Sequence, residues 1–156
     1  MNILFVCLGN ICRSPIAEGV LSSLAKQHHL PWKIASAGTE SLHVGEQPHP
    51  SSQQVCKENR IDISHQRATQ FRKDDLQKYD LIYAMSKDVY DIIKKTCGTS
   101  FDINKVHLFL NELYPSENRS VKDPWYGELE GYYEVYEEIR KGCEAIITNH
   151  SGQETK

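Results

Sequence analysis

The chain has no long apolar run. Nothing in its 156 residues approaches the roughly 18 consecutive apolar residues of a membrane-spanning helix. It opens directly on strand-like residues with no signal-peptide pattern, so a cytoplasmic address is expected. It also lacks an excess of positive charge: 18 Lys and Arg stand against 21 Asp and Glu, a formal net charge of -3. That balance argues against nucleic acid or a membrane surface as a partner, so any anion must be bound by local geometry. There is no CxxC pair, no HxxxH pair and hence no credible metal site. The five cysteines are odd in number and scattered, which points to free thiols in a reducing compartment rather than a disulfide framework. Internal repeats are missing too.

What is present fits one domain, residues 1–150, followed by a flexible tail, 151–156. Asn2 to Leu8 is an apolar, partly β-branched run of the length of a buried strand. Ser14 reads as the N-cap of a helix with Pro15 as its first residue, and Ile16, Ala17, Val20, Leu21 and Leu24 follow at helical spacing. Trp32 to Ala37 reads as a second strand ending at Gly38, and Pro50 to Arg60 as a helix. Tyr79 to Met85 is a third strand, with Ser86 capping the helix of Val89, Ile92 and Ile93; Val106 to Leu110 is a fourth. Glu130 to Asn149 carries Tyr132, Tyr136, Ile139, Cys143 and Ile146 along one helical face, slightly weakened by Gly142. This alternation predicts an α/β fold: a doubly wound, four-stranded parallel sheet with helices on both faces, and ligands beyond the carboxyl ends of the strands.

The segment Cys7-Leu8-Gly9-Asn10-Ile11-Cys12-Arg13-Ser14 sits at such an end. Gly9 and Asn10 tolerate left-handed backbone, and no proline interrupts residues 8–14, so successive amides can form a nest for an anion. The loop feeds a helix N-terminus, and the Arg13 fork can grip two oxygens, which together suit phosphate or sulfate. The same positive field favours the thiolate of Cys7, to which Ser14 can donate a hydrogen bond. This is not the nucleotide P-loop, which requires GxxxxGK[ST]. Taken alone, a cysteine ending a buried strand is a small hydrophobe; with the loop behind it, it reads as an activated nucleophile.

CLGNICRSP resembles the Cys-x5-Arg-Ser signature of the low-molecular-weight protein tyrosine phosphatases, and the likeness continues through SAGT (36–39), VGEQPHP (44–50), YDLIYAM (79–85) and DPWYG (123–127). The resemblance implies a cofactor-free hydrolase of phosphotyrosine proteins, acting as a monomer or weak dimer. Cys7 would be the nucleophile, Arg13 the phosphate clamp, and Leu8 to Ser14 the phosphate cradle. It implies that Asp123, otherwise readable as a plain Asp-Pro turn, is the general acid and base, with Trp125 and Tyr126 shielding it from water. It further implies that His65 supports Asn10, that Cys12 pairs with Cys7 under oxidation, and that Leu42 stands on the substrate wall where vertebrate members carry tryptophan. Departures from the pattern fall at Leu42-His43, at Arg67 and at Ser86.

Rival readings remain. A thioredoxin-coupled arsenate reductase would need two closely spaced cysteines after the third strand, where only Cys97 stands. Protein arginine phosphatases carry threonine where this chain has Ile11. A phosphate-binding module without turnover would need neither Cys7 nor Asp123.

Overall fold

The computed structural model describes residues 1–125 and 127–152. Its elements are β1 (Asn2–Cys7), α1 (Arg13–Gln27), β2 (Lys33–Gly38), α2 (Pro50–Glu58), α3 (Asp75–Lys78), β3 (Leu81–Ala84), α4 (Lys87–Cys97), β4 (Val106–Leu108) and α5 (Leu129–His150). Short 3₁₀ turns occupy Gly98–Ser100 and Phe109–Glu112.

The four strands form one parallel sheet in the order β2-β1-β3-β4. Because β1 is central, both its faces are covered, and this is why its sequence is continuously apolar rather than alternating. Ile3, Phe5 and Cys7 face a core shared with α1, α2 and α5. Leu4 and Val6 face a second core shared with α3 and α4. Ile3, Leu4, Phe5 and Val6 are all at most 2% exposed, and each contributes about 1.5–3 kcal/mol of burial. The chain turns from β2 on one side of β1 to β3 on the other, so the carboxyl end of β1, with Cys7, is the switch point where such sheets bind ligands.

The expected strands and major helices are present, with shifts at their ends. The helix after the first loop begins at Arg13, two residues before the expected Pro15, and Cys12 rather than Ser14 stands at its N-cap, without a side-chain hydrogen bond. Ser14 is not a cap because its hydroxyl is turned to other partners, described below. Pro15 still fits, since the first turn has no intrahelical use for its missing N–H. The third strand runs only from Leu81 to Ala84, although the Asp80 and Met85 amides flanking it still bond to the Asn2 and Val6 carbonyls of β1. Ser86 does occupy the N-cap of α4, but its hydroxyl goes to Asp88 Oδ1 rather than to a backbone amide. Val106 to Leu110 splits after Leu108, where Phe109 and Leu110 enter a 3₁₀ turn that buries both.

Gly142 has a packing reason to interrupt α5. A Cβ placed there would lie 2.4 Å from Cζ of Phe109, whose ring stands edge-on to Phe5 at 5.6 Å. Gly142→Ala is therefore expected to destabilise the protein by about 1–3 kcal/mol despite the better helix propensity of alanine. A lower denaturation midpoint with unchanged slope is the check. Among the described residues no helix is long and apolar enough to cross a membrane.

Candidate active site

The carboxyl end of β1 opens into a cavity of about 190 Å³ lined by Cys7, Leu8, Gly9, Ile11, Cys12, Arg13, Glu40, Leu42, His43, Asp123 and Trp125. Three separate stretches of sequence meet here: the loop after β1, the loop after β2 and the segment before α5.

The loop after β1 is shaped by two backbone devices. Asn10 takes the left-handed conformation at φ 60, which asparagine accepts more readily than most residues. Gly38, at the end of β2, lets the strand approach the loop: a Cβ there would lie 2.8 Å from the Leu8 carbonyl oxygen. Among the described residues the amides of Gly9, Asn10 and Ile11 make no hydrogen bond, so they remain available to a ligand. Gly9, which could tolerate left-handed backbone, does not adopt it, and its small size instead admits the ring of His43.

A relay of side chains holds the loop. Asn10 Nδ2 donates to Ser14 Oγ and to Ser36 Oγ, each at 2.9 Å, while Asn10 Oδ1 accepts from the Thr69 amide at 2.9 Å. The Ser36 hydroxyl in turn donates to Glu18 Oε1 at 2.7 Å. Since Ser14 accepts from Asn10, its single proton is free for the Cys7 sulfur, 2.9 Å away. Burial pushes the Glu18 carboxyl up from its ordinary range, with Ser36 and His65 acting against that. The expectation that His65 supports Asn10 is not met: His65 is exposed and makes no hydrogen bond to Asn10. Its side chain lies instead within electrostatic reach of Glu18, one link farther out. Ser36 and the Thr69 amide take the supporting place.

Arg13 is only 4% exposed; Nη1 donates to the Val121 carbonyl at 3.0 Å, and Nη2 lies 3.7 Å from Asp123 Oδ2. Val121 in turn bonds through its amide to the carbonyl of Met85, just beyond β3. One anchor thus sets the position of both the arginine and the aspartate. Asp123 is 38% exposed, so the expected shielding from water is partial, and its Oδ1 accepts from the Trp125 amide at 3.0 Å. Trp125 lines the cavity, whereas Tyr126 lies outside the described residues. Leu42 is 76% exposed on the rim.

Cys12 lines the same cavity, with Sγ 3.5 Å from the Tyr132 hydroxyl. Burial pushes its thiol up to about 12, so it stays protonated at neutral pH. All five cysteines are free and buried, and Cys97 belongs to the second core, far in character from a relay thiol.

Sequence reasoning missed His49. Its Nδ1 accepts from the Ser51 amide and caps α2, its ring stacks on Tyr132 at 5.1 Å, and Trp125 stands against it at 5.5 Å. Burial holds this imidazole below its ordinary pKa of 6.5. Below about pH 6.5 the unfolded chain therefore takes up the proton more readily than the native one, and stability falls as pH drops through the native value. His49→Asn keeps a capping acceptor without the titration, so its stability should decline less between pH 6.5 and the native pKa of His49, read by chemical denaturation across that range.

A thiol at the switch point of a parallel sheet, backed by uncommitted amides, a buried arginine and a facing carboxylate, defines the class of small cysteine-dependent phosphatases. The model of a family described as low molecular weight phosphotyrosine protein phosphatase matches residues 2–155. The low molecular weight phosphotyrosine protein phosphatase of Gallus gallus is 34% identical over 148 residues, which cover 94% of this chain and 93% of that protein. The low molecular weight protein-tyrosine-phosphatase YfkJ of Bacillus subtilis is 34% identical over 96% of this chain and 95% of its own. The YfkJ crystal structure superposes with a TM-score of 0.89, at 31% identity, over 98% of this chain and 96% of that one. A mutant of the YwlE arginine phosphatase whose active-site serine is phosphorylated superposes at 0.88, with 25% identity, over 97% of this chain and 96% of that one. This chain belongs to the low molecular weight phosphotyrosine protein phosphatase family.

Proposed function

We propose that this chain hydrolyses phosphotyrosine in proteins through a cysteinyl-phosphate intermediate, in the cytoplasm and without a cofactor, with residues 1–150 as its one catalytic domain. The observation that carries this reading is the meeting of Cys7, Arg13 and Asp123 on one small cavity.

The phosphate dianion enters the cup with its non-bridging oxygens on the loop amides and the Arg13 fork. Arrival of that charge gives Arg13 a new partner and leaves the Asp123 carboxyl to face the ester oxygen. Cys7 Sγ attacks phosphorus; the S–P bond forms, the P–O bond to the aryl group breaks, and Asp123 delivers its proton to the departing oxygen. Without that proton the leaving group would be a phenolate whose conjugate acid has a pKa of about 10. Asp123, now a carboxylate, takes a proton from water, whose oxygen attacks phosphorus, releasing inorganic phosphate and restoring the thiolate. Ser14, pointing its proton at the sulfur, stabilises the thiolate both as nucleophile and as leaving group.

Ile11, Leu42 and Trp125 give the cavity apolar walls suited to an aryl ester. A second reading, hydrolysis of phosphoarginine, is favoured only by the superposition on the YwlE arginine phosphatase. Phosphate release from phosphotyrosine and phosphoarginine peptides, with chelator present, separates the two. Preference for phosphotyrosine supports the proposal; preference for phosphoarginine, or turnover only of arsenate with thioredoxin, overturns it.

A further inference from the structure

The loop after β2 sends one side chain, His43, across the mouth of the cup, and nothing in the reaction above uses it. Its ring touches three neighbours. On one side it packs on the backbone at Gly9, where an added Cβ would stand 3.0 Å from its Cδ2. On another it meets the indole of Trp125, with centroids 5.4 Å apart and planes tilted by 54°. Its Nδ1 lies 2.9 Å from Glu46 Oε2; a carboxylate only accepts, so the bond puts a ring proton on Nδ1 and fixes the orientation of the imidazole.

The base of this side chain is itself pinned. The Glu46 amide bonds back to the His43 carbonyl, the Gly45 amide to the Ala68 carbonyl, and the Ala68 amide to the Glu46 carbonyl. Gly45 makes the turn at φ +88, which a residue with a side chain rarely adopts. His43 is thereby 18% exposed on a rigid stub, although its loop is otherwise open to solvent. Trp125, by contrast, belongs to the segment between Val121 and α5, where among the described residues the Gly127 amide to the Pro124 carbonyl is the backbone bond. Among the described residues it packs against the rings of His43 and His49, and its amide donates to the Asp123 carboxylate.

We propose that His43 is a positioning residue for the reaction: fixed by Glu46 and by the phosphate loop, it holds Trp125, and through Trp125 the Asp123 carboxyl, over the leaving oxygen. This rests on the reading of Asp123 as general acid. A general acid matters most when the leaving group is a strong base, and a carboxyl displaced by about 1 Å can lose as much as 10²-fold in rate. Loss of His43 therefore harms poor leaving groups selectively, whereas a general disturbance of the cup would harm all esters alike.

The test compares phenyl phosphate with dinitrophenyl phosphate on the full chain. His43→Ala should lower kcat/KM about 10-fold for phenyl phosphate and less than about 2-fold for the activated ester. His43→Phe, which keeps a ring against Trp125, should recover most of the loss. Trp125→Ala should show the same selectivity, and the double variant should be no worse than the poorer single one, because both act through one contact. Equal losses on the two esters, failure of phenylalanine to rescue, or additive losses would overturn the proposal. Asp123→Ala is the control: if it lacks the selectivity itself, the general-acid reading fails and takes this role of His43 with it. If it has the selectivity and His43→Ala does not, only the present inference falls.

Discussion

Cys7→Ser is expected to lower phosphate release from a phosphotyrosine peptide by about 10⁴-fold or more, while the protein still binds that peptide. The expectation follows from what surrounds the sulfur. On the proposed reading Cys7 attacks as the thiolate, whereas a serine hydroxyl there would need a base to remove its proton, and its side-chain hydrogen-bond partner among the described residues, Ser14, already accepts from Asn10. The cup keeps its amides and its arginine, so binding of the ester survives the loss of chemistry. Turnover by the serine variant at more than about a hundredth of the wild-type rate would point to direct attack by water and deprive Cys7 of its role.

Asp123→Ala comes next in size. Loss of a general acid costs about 10²–10⁴-fold for an aryl ester whose leaving group has a pKa near 10. The structure makes the variant informative, because Asp123 also faces Arg13 at 3.7 Å and caps the Trp125 amide. Removing the carboxylate takes away the acidic group 3.7 Å from the arginine, so phosphate and ester should bind at least as tightly as before. Lower kcat with unchanged or lower KM is the predicted split; a raised KM with unchanged kcat would make Asp123 a binding residue only.

The legibility of these features in the sequence follows their physics. The phosphate loop was readable because its parts are contiguous, from the apolar run ending at Cys7 to the arginine that begins α1. The long helix α5 was readable because Tyr132, Tyr136, Ile139, Cys143 and Ile146 repeat its period over several turns, and all five are buried. By contrast, α3 is four residues long and too short to show a period. Phe109 and Leu110 continue an apolar run that looks like strand, since burial in a 3₁₀ turn demands the same residues.

Within the site, the errors came from groups whose work is done by the backbone. The Thr69 amide holds Asn10 and the Val121 carbonyl holds Arg13, and neither contact leaves a mark on residue identity. Ser14 looked like a cap because serine before a helical run ordinarily is one; the nearby sulfur and asparagine claimed its hydroxyl instead. His65 was assigned one link too close to the loop, where Ser36 stands. His43 and His49 stood in the sequence only within a departing and a matching segment, with no role attached, because an isolated histidine acquires its meaning only from the rings folded against it.

The central claim is the covalent phosphocysteine, and its most direct test is acid quenching during turnover of a phosphotyrosine peptide, followed by mass spectrometry of the peptide that carries Cys7. Phosphate on Cys7 in the wild type, and none when Cys7→Ser is treated in the same way, is the predicted result. Full turnover with no phosphorylated cysteine at any quench time, or phosphate carried by another residue, would contradict the account.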